Sequence, residues 1–98
     1  MLKLNLVKRI ENDEKVAYFY ENEYYKVIKT VYRCEFDNLA FAIQPKQNDY
    51  MPEISYRYNL DFYIQTTSYG SLESNEIKKI IQGYQLALAT IEELKKLV

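Results

Sequence analysis

Residues 54–98 read ISYRYNLDFYIQTTSYGSLESNEIKKIIQGYQLALATIEELKKLV, and within them the spacing of apolar side chains changes once. From Ile54 to Thr66 the chain alternates: Ile54, Tyr56, Tyr58, Leu60, Phe62 and Ile64 on one side, Ser55, Arg57, Asn59, Asp61, Tyr63 and Gln65 on the other. A period of two belongs to a strand with one face on the core and the other toward water or a partner. The stretch exceeds the usual five or six residues, so this strand is expected to pair on both sides or to bend.

After about residue 72 the period becomes helical. Ile77, Ile80, Ile81, Tyr84, Ala87, Leu88, Ile91, Leu94 and Val98 share one face, which predicts one amphipathic helix of roughly 26 residues, about 40 Å long, covering the sheet. Ser68-Tyr69-Gly70-Ser71 ends the sheet, and Ser71 or Ser74 is the expected cap, with Glu73 and Glu76 at the positive end of the helix and Lys95 and Lys96 at the other.

Toward the N-terminus the period of two continues. Leu2, Leu4 and Leu6 alternate with Lys3 and Asn5; Glu11-Asn12-Asp13-Glu14 supplies a turn; Val16 to Tyr20 forms the next strand. Glu21-Asn22-Glu23 breaks the chain again, Tyr24 to Cys34 alternates on two faces, and Asp37-Asn38 leads into Leu39 to Ile43. The expected architecture is a single α+β domain over residues 1–98. Its first part, 1–67, is an antiparallel β-meander of about five strands, packed on one long C-terminal α-helix over 72–98. Gln44 to Glu53 holds both prolines and forms the long loop, where a binding role would most cheaply reside; plain connection is the simpler reading.

A second helical stripe runs through Gly83, Leu86, Thr90 and Leu97. Glycine inside a helix costs about 1 kcal/mol relative to alanine, and close approach of another backbone is a physical reason to keep it. The stripe is therefore the expected interface of a homodimer, with the long loop folded over it as the alternative.

Composition excludes more than it assigns. Ninety-eight residues with 28% charged, 48% hydrophobic, two Gly and two Pro are one globular domain, neither disordered nor collagenous. Thirteen Lys and Arg against fourteen Asp and Glu leave a net charge of -1, so no global field recruits nucleic acid or an anionic membrane. No apolar run approaches the ~20 residues of a membrane span, and the N-terminus lacks the apolar core of a signal peptide; the expectation is a cytoplasmic protein without membrane partners. The residue usage suits a low-GC bacterium or its phages.

With no His and one Cys, Ser-His-Asp and Cys-His catalysis and the usual zinc sites are excluded, and neither glycine opens a phosphate-binding loop. Glu35 with Asp37, and Asp49 with Glu53, are acidic pairs of the kind used in acid–base or metal chemistry, but they read better as turn and loop charges. Cys34 lies mid-strand and reads as a small buried residue. No enzyme activity, metal or cofactor is expected.

Tyrosine is the anomaly, at eleven residues. It offers a rigid apolar face with a polar tip, which suits binding surfaces. Aromatic residues beside bases, as in Tyr24-Tyr25-Lys26, Tyr32-Arg33 and Tyr56-Arg57-Tyr58, are also what a sheet needs to stack nucleobases while neutralising phosphates. The candidate binding surface is Lys26, Arg33, Arg57, Asn59, Tyr63 and Tyr50. The leading expectation is a non-catalytic interaction module of accessory type, binding a protein partner through the open sheet face or the 44–53 loop. The alternative is single-stranded nucleic-acid binding through Tyr and Lys/Arg on the sheet, a use to which some small dimeric folds of this plan are put.

Overall fold

The computed structural model describes residues 2–33, 38–46, 50–57, 61–66 and 68–98. Strands β1 (Asn5–Glu11), β2 (Lys15–Glu21), β3 (Tyr25–Tyr32) and β4 (Asn38–Pro45) form an antiparallel sheet in the order β1-β2-β3-β4. Strands β5 (Glu53–Arg57) and β6 (Asp61–Gln65) form a separate hairpin, and α1 (Ser74–Lys95) is the single helix among the described residues. The α+β plan of a meander packed on a C-terminal helix is the architecture observed.

Each turn of the meander has a local cause. The Asn12 side-chain oxygen accepts the backbone N–H groups of Glu14 and Lys15 at 2.8 and 2.9 Å, closing the β1–β2 connection. Between β2 and β3 the Asn22 side-chain oxygen accepts the N–H groups of Tyr24 and Tyr25 at 2.9 and 2.8 Å. Both are asparagine side chains standing in for backbone in a turn.

The long alternating stretch is not one strand. Ile54 pairs with Ile64, Tyr56 with Phe62 and Arg57 with Asp61, so the chain folds back on itself. This register pairs even-numbered residues with even-numbered ones, so the apolar side survives the reversal intact.

The core lies between one sheet face, the inner face of the hairpin and α1: Leu4, Tyr25, Val27, Met51, Ile54, Phe62, Ala87, Ile91 and Leu94. Phe41, Tyr56 and Phe62 form an aromatic triangle with ring centroids 4.9 to 5.0 Å apart, tying β4 to the hairpin.

The buried face of α1 keeps Ala87, Ile91 and Leu94 of the expected core stripe but is turned toward the second stripe. Gly83, Ala87, Thr90, Ile91 and Leu94 are buried against the sheet, with Leu86 and Leu97 packed beside them, whereas Ile77, Ile81, Leu88 and Val98 are exposed. The candidate dimer stripe Gly83, Leu86, Thr90 and Leu97 thus lies on the protein's own core. Small size decides the orientation. The backbone carbonyl of Tyr50 occupies the place where a β-carbon on Gly83 would stand, so the close backbone approach is real but intramolecular. The first residue before α1 is Glu73 rather than Ser71 or Ser74; its N–H donates to the Glu76 carboxylate at 3.3 Å, one half of a capping box.

Candidate functional site: the open face of the sheet

Residues directly opposite in an antiparallel ladder share a face. On the side away from α1, Lys8 stands opposite Phe19, Phe19 opposite Ile28 and Ile28 opposite Ala42, which makes a cross-strand row over all four strands. A second row joins Glu21, Lys26 and Gln44. The hairpin continues this face with the pair Ser55 and Tyr63. Together these residues line a groove of about 820 Å³ that runs from β1 to the hairpin. Its floor is apolar, from Phe19, Ile28 and Ala42, and Tyr63 walls one end.

One irregularity in β1 creates this lining. Leu6 pairs with Tyr20 and Lys8 with Phe19, so Val7 is an extra, bulged residue. In an unbulged strand Leu6 and Lys8 would share a face; with the bulge Leu6 sits on the helix side and Lys8 on the groove side, its ammonium 4.6 Å from the centre of the Phe19 ring.

The charges at the rim are unequal. Glu21 is held by Lys46 at 3.2 Å, while Lys8 and Lys26 have no carboxylate partner among the described residues. The groove therefore combines an apolar floor with a cationic edge.

Of the residues that the sequence singled out, Lys26 and Tyr63 line this groove, and Tyr63 is 42% exposed. Arg57 lies just beyond it, 5.9 Å from the centre of the Tyr63 ring, beside a smaller depression shared with Asp61. Arg33 does not join them: it pairs with Glu11, at the opposite end of the sheet. Tyr50 packs on α1, where its ring meets Lys79 and its hydroxyl lies 3.5 Å from the Glu76 carboxylate. Asn59, Cys34, Glu35, Asp37 and Asp49 lie outside the described residues.

The expected 44–53 loop is shorter than its bounds, because Gln44 and Pro45 belong to β4 and Glu53 to β5. Met51 and Pro52 are buried, and the Pro52 carbonyl accepts the Tyr25 hydroxyl at 2.6 Å. Burial pushes the Tyr25 phenol well above its ordinary value, so the side chain is a neutral donor.

Phe19, Ile28, Ala42, Ser55 and Lys8 were not singled out from the sequence. Each is an ordinary strand residue, and the groove exists only because the register sets them opposite one another. Among the described residues no three His, Cys, Asp or Glu side chains converge as a metal site, and no helix is long and apolar enough to cross a membrane. No protein-family model, curated protein or solved structure matches the chain.

Proposed function

We propose that the protein is a non-catalytic interaction module that binds a segment of a protein partner in the groove on the open sheet face. The observation that carries this reading is the apolar floor of Phe19, Ile28 and Ala42, left open on the side away from the helix and large enough for several side chains. A row of apolar side chains in a concave site, with a few polar groups at its edge, is the usual composition of a binding site. Tyr63 adds a rigid aromatic wall of the kind that anchors interfaces.

Single-stranded nucleic acid is the second reading, favoured by the cation–aromatic neighbours Lys8 over Phe19 and Arg57 over Tyr63. Against it, Arg33 and Lys46 are engaged by Glu11 and Glu21, so a continuous basic track along the face is missing among the described residues.

Selection of a peptide display library on the protein, followed by calorimetry with the recovered peptides and with oligothymidylate, separates the two. Ile28→Glu places a charge on the groove floor and is expected to abolish peptide binding while circular dichroism stays unchanged. Peptides that bind Ile28→Glu as well as wild type would remove the groove reading. Oligothymidylate binding that collapses as salt rises, with no peptide recovered, would put nucleic acid in its place.

A further inference from the structure

The face of α1 that points away from the core carries Ile77, Ile81, Tyr84 and Leu88, separated by four, three and four residues. This is the spacing of the seam by which one helix packs along another. Ile77, Ile81 and Leu88 are 44%, 53% and 57% exposed, although nothing in solubility or helix propensity asks for branched apolar side chains there.

The flank of the seam shows what covers it. Lys78, Gln85 and Glu92 follow one another at intervals of seven, on the same side of the seam. A cation stands at one end, a neutral amide in the middle and an anion at the other end. Lys78 has no ion pair among the described residues, and Glu92 has only an exposed contact with Lys95 at 3.7 Å. If a second copy of the helix runs antiparallel about a two-fold axis near Gln85, each Lys78 meets the Glu92 of the second copy and the amides meet each other. The same rotation brings Leu88 between Ile81 and Tyr84 of the second copy, while Ile77 falls opposite Glu93, beyond the seam. A parallel pair would set this flank against the other side of the seam, where Ala87 and Leu94 are buried in the protein's own core, and would leave both charges unmatched. The pattern is self-complementary in one orientation alone, as a two-fold interface requires.

The competing surface for self-association is the edge strand β1, with exposed Leu6, Val7 and Ile10. It is guarded by the bulge at Val7 and by the cations Lys8 and Arg9, devices that keep strand edges from pairing. We propose that the protein forms a two-fold homodimer through antiparallel packing of α1 on α1, with Ile81, Tyr84 and Leu88 as the apolar seam and Lys78 paired to Glu92 of the second copy. This proposal is independent of the groove, which lies on the opposite side of the sheet. A single helix seam is small against the roughly 800 Å² per partner of a standard interface, so the association is weak and reversible.

Sedimentation equilibrium of the full chain, taken well into the micromolar range, is the test. Wild type is expected to follow a monomer–dimer equilibrium, and Ile81→Glu to weaken it at least tenfold with the helical dichroism unchanged; Leu88→Ala, a milder change, is expected to weaken it in the same direction. Lys78→Glu alone and Glu92→Lys alone should each weaken self-association. An equimolar mixture of those two variants should associate at least tenfold more tightly than either does alone, because every flanking pair is then opposite in sign. A wild type monomeric throughout the series would overturn the proposal, as would a dimer indifferent to Ile81→Glu and Leu88→Ala. A dimer whose mixed charge variants associate no better than the separate ones would overturn the antiparallel arrangement.

Discussion

The side-chain amide of Asn22 donates to the hydroxyl of Thr90 at 3.1 Å, joining the β2–β3 turn to the middle of the helix across 68 positions of sequence. Both residues are buried, at 6% and 0% exposure, and both are fully used. Asn22 also donates to the Leu2 carbonyl at 3.1 Å and accepts two backbone N–H groups of its own turn; the Thr90 hydroxyl donates to the Leu86 carbonyl at 3.0 Å. One asparagine thus fixes the turn, the N-terminal segment and the axial position of α1.

Replacing Asn22 by Ala removes the acceptor of two backbone donors and the donor of two more bonds, and is expected to cost about 2–3 kcal/mol by the usual penalty for stranded polar groups. Thr90→Val keeps the shape and loses the hydroxyl, for about 1–2 kcal/mol. Urea denaturation of the two single variants and the double variant should reveal a coupling above about 0.5 kcal/mol, the range for contacting residues. Strict additivity would mean that the contact does not stabilise the fold.

Gly83→Ala runs against the propensity rule. In an exposed helix that change gains about 1 kcal/mol. Here the new methyl group meets the Tyr50 carbonyl, and the Tyr50–Met51 backbone must move. A net loss of about 1–3 kcal/mol is expected, in the range of overpacked cores. A thermal midpoint equal to or above that of wild type would show that the segment does not press on the helix.

Tyr25 makes stability depend on pH on the alkaline side. Its folded-state ionisation lies above the unfolded value of about 10, so the unfolded chain releases its proton first. The contribution is fully present below pH ~10 and is lost as pH rises toward the folded value, at up to about 1.4 kcal/mol per pH unit. Tyrosinate absorbance of wild type should show a phenol that ionises only with unfolding, and Tyr25→Phe should flatten the fall of stability above pH ~10. An unchanged slope in Tyr25→Phe would assign alkaline unfolding to other groups.

Phe62 and Tyr63 are neighbours on β6 that point opposite ways, 7% and 42% exposed. Phe62→Ala opens the aromatic triangle and should cost about 3–5 kcal/mol, the range for large aromatic truncations. Tyr63→Ala should change stability by less than about 0.5 kcal/mol while lowering affinity for any peptide that the groove selects. Equal costs in denaturation would place both rings in the core.

The strand-then-helix plan was legible because it rests on local periods: alternation through Val27 and Ile43, helical spacing through Ala87, Ile91 and Leu94. The turn at Asn12 and the break at Asn22 were legible for the same reason. What local periods do not carry is the choice between faces. On α1 the stripe through Ile77, Ile81 and Leu88 reads as core together with Ala87, Ile91 and Leu94, yet the buried face turns toward Gly83 and Thr90, because glycine at position 83 lets the Tyr50 backbone come close. The reversal between β5 and β6 was hidden because its register maps even positions onto even positions, leaving one apolar side before and after the turn. Of the candidate surface, Lys26 and Tyr63 meet in the groove and Arg57 adjoins it, but Phe19, Ile28 and Ala42 become neighbours only through cross-strand pairing.

The extra residue at Val7 also bears on how this chain tolerates insertion and deletion. Loss of one residue from a surface connection shortens it; loss of Val7 would leave Leu6 opposite Tyr20 and Lys8 opposite Phe19 in a regular ladder, with both side chains still on their own faces. A single deletion elsewhere in β1 changes the facing of the residues between it and the bulge. Val7 is therefore the position at which this strand tolerates the loss of one residue.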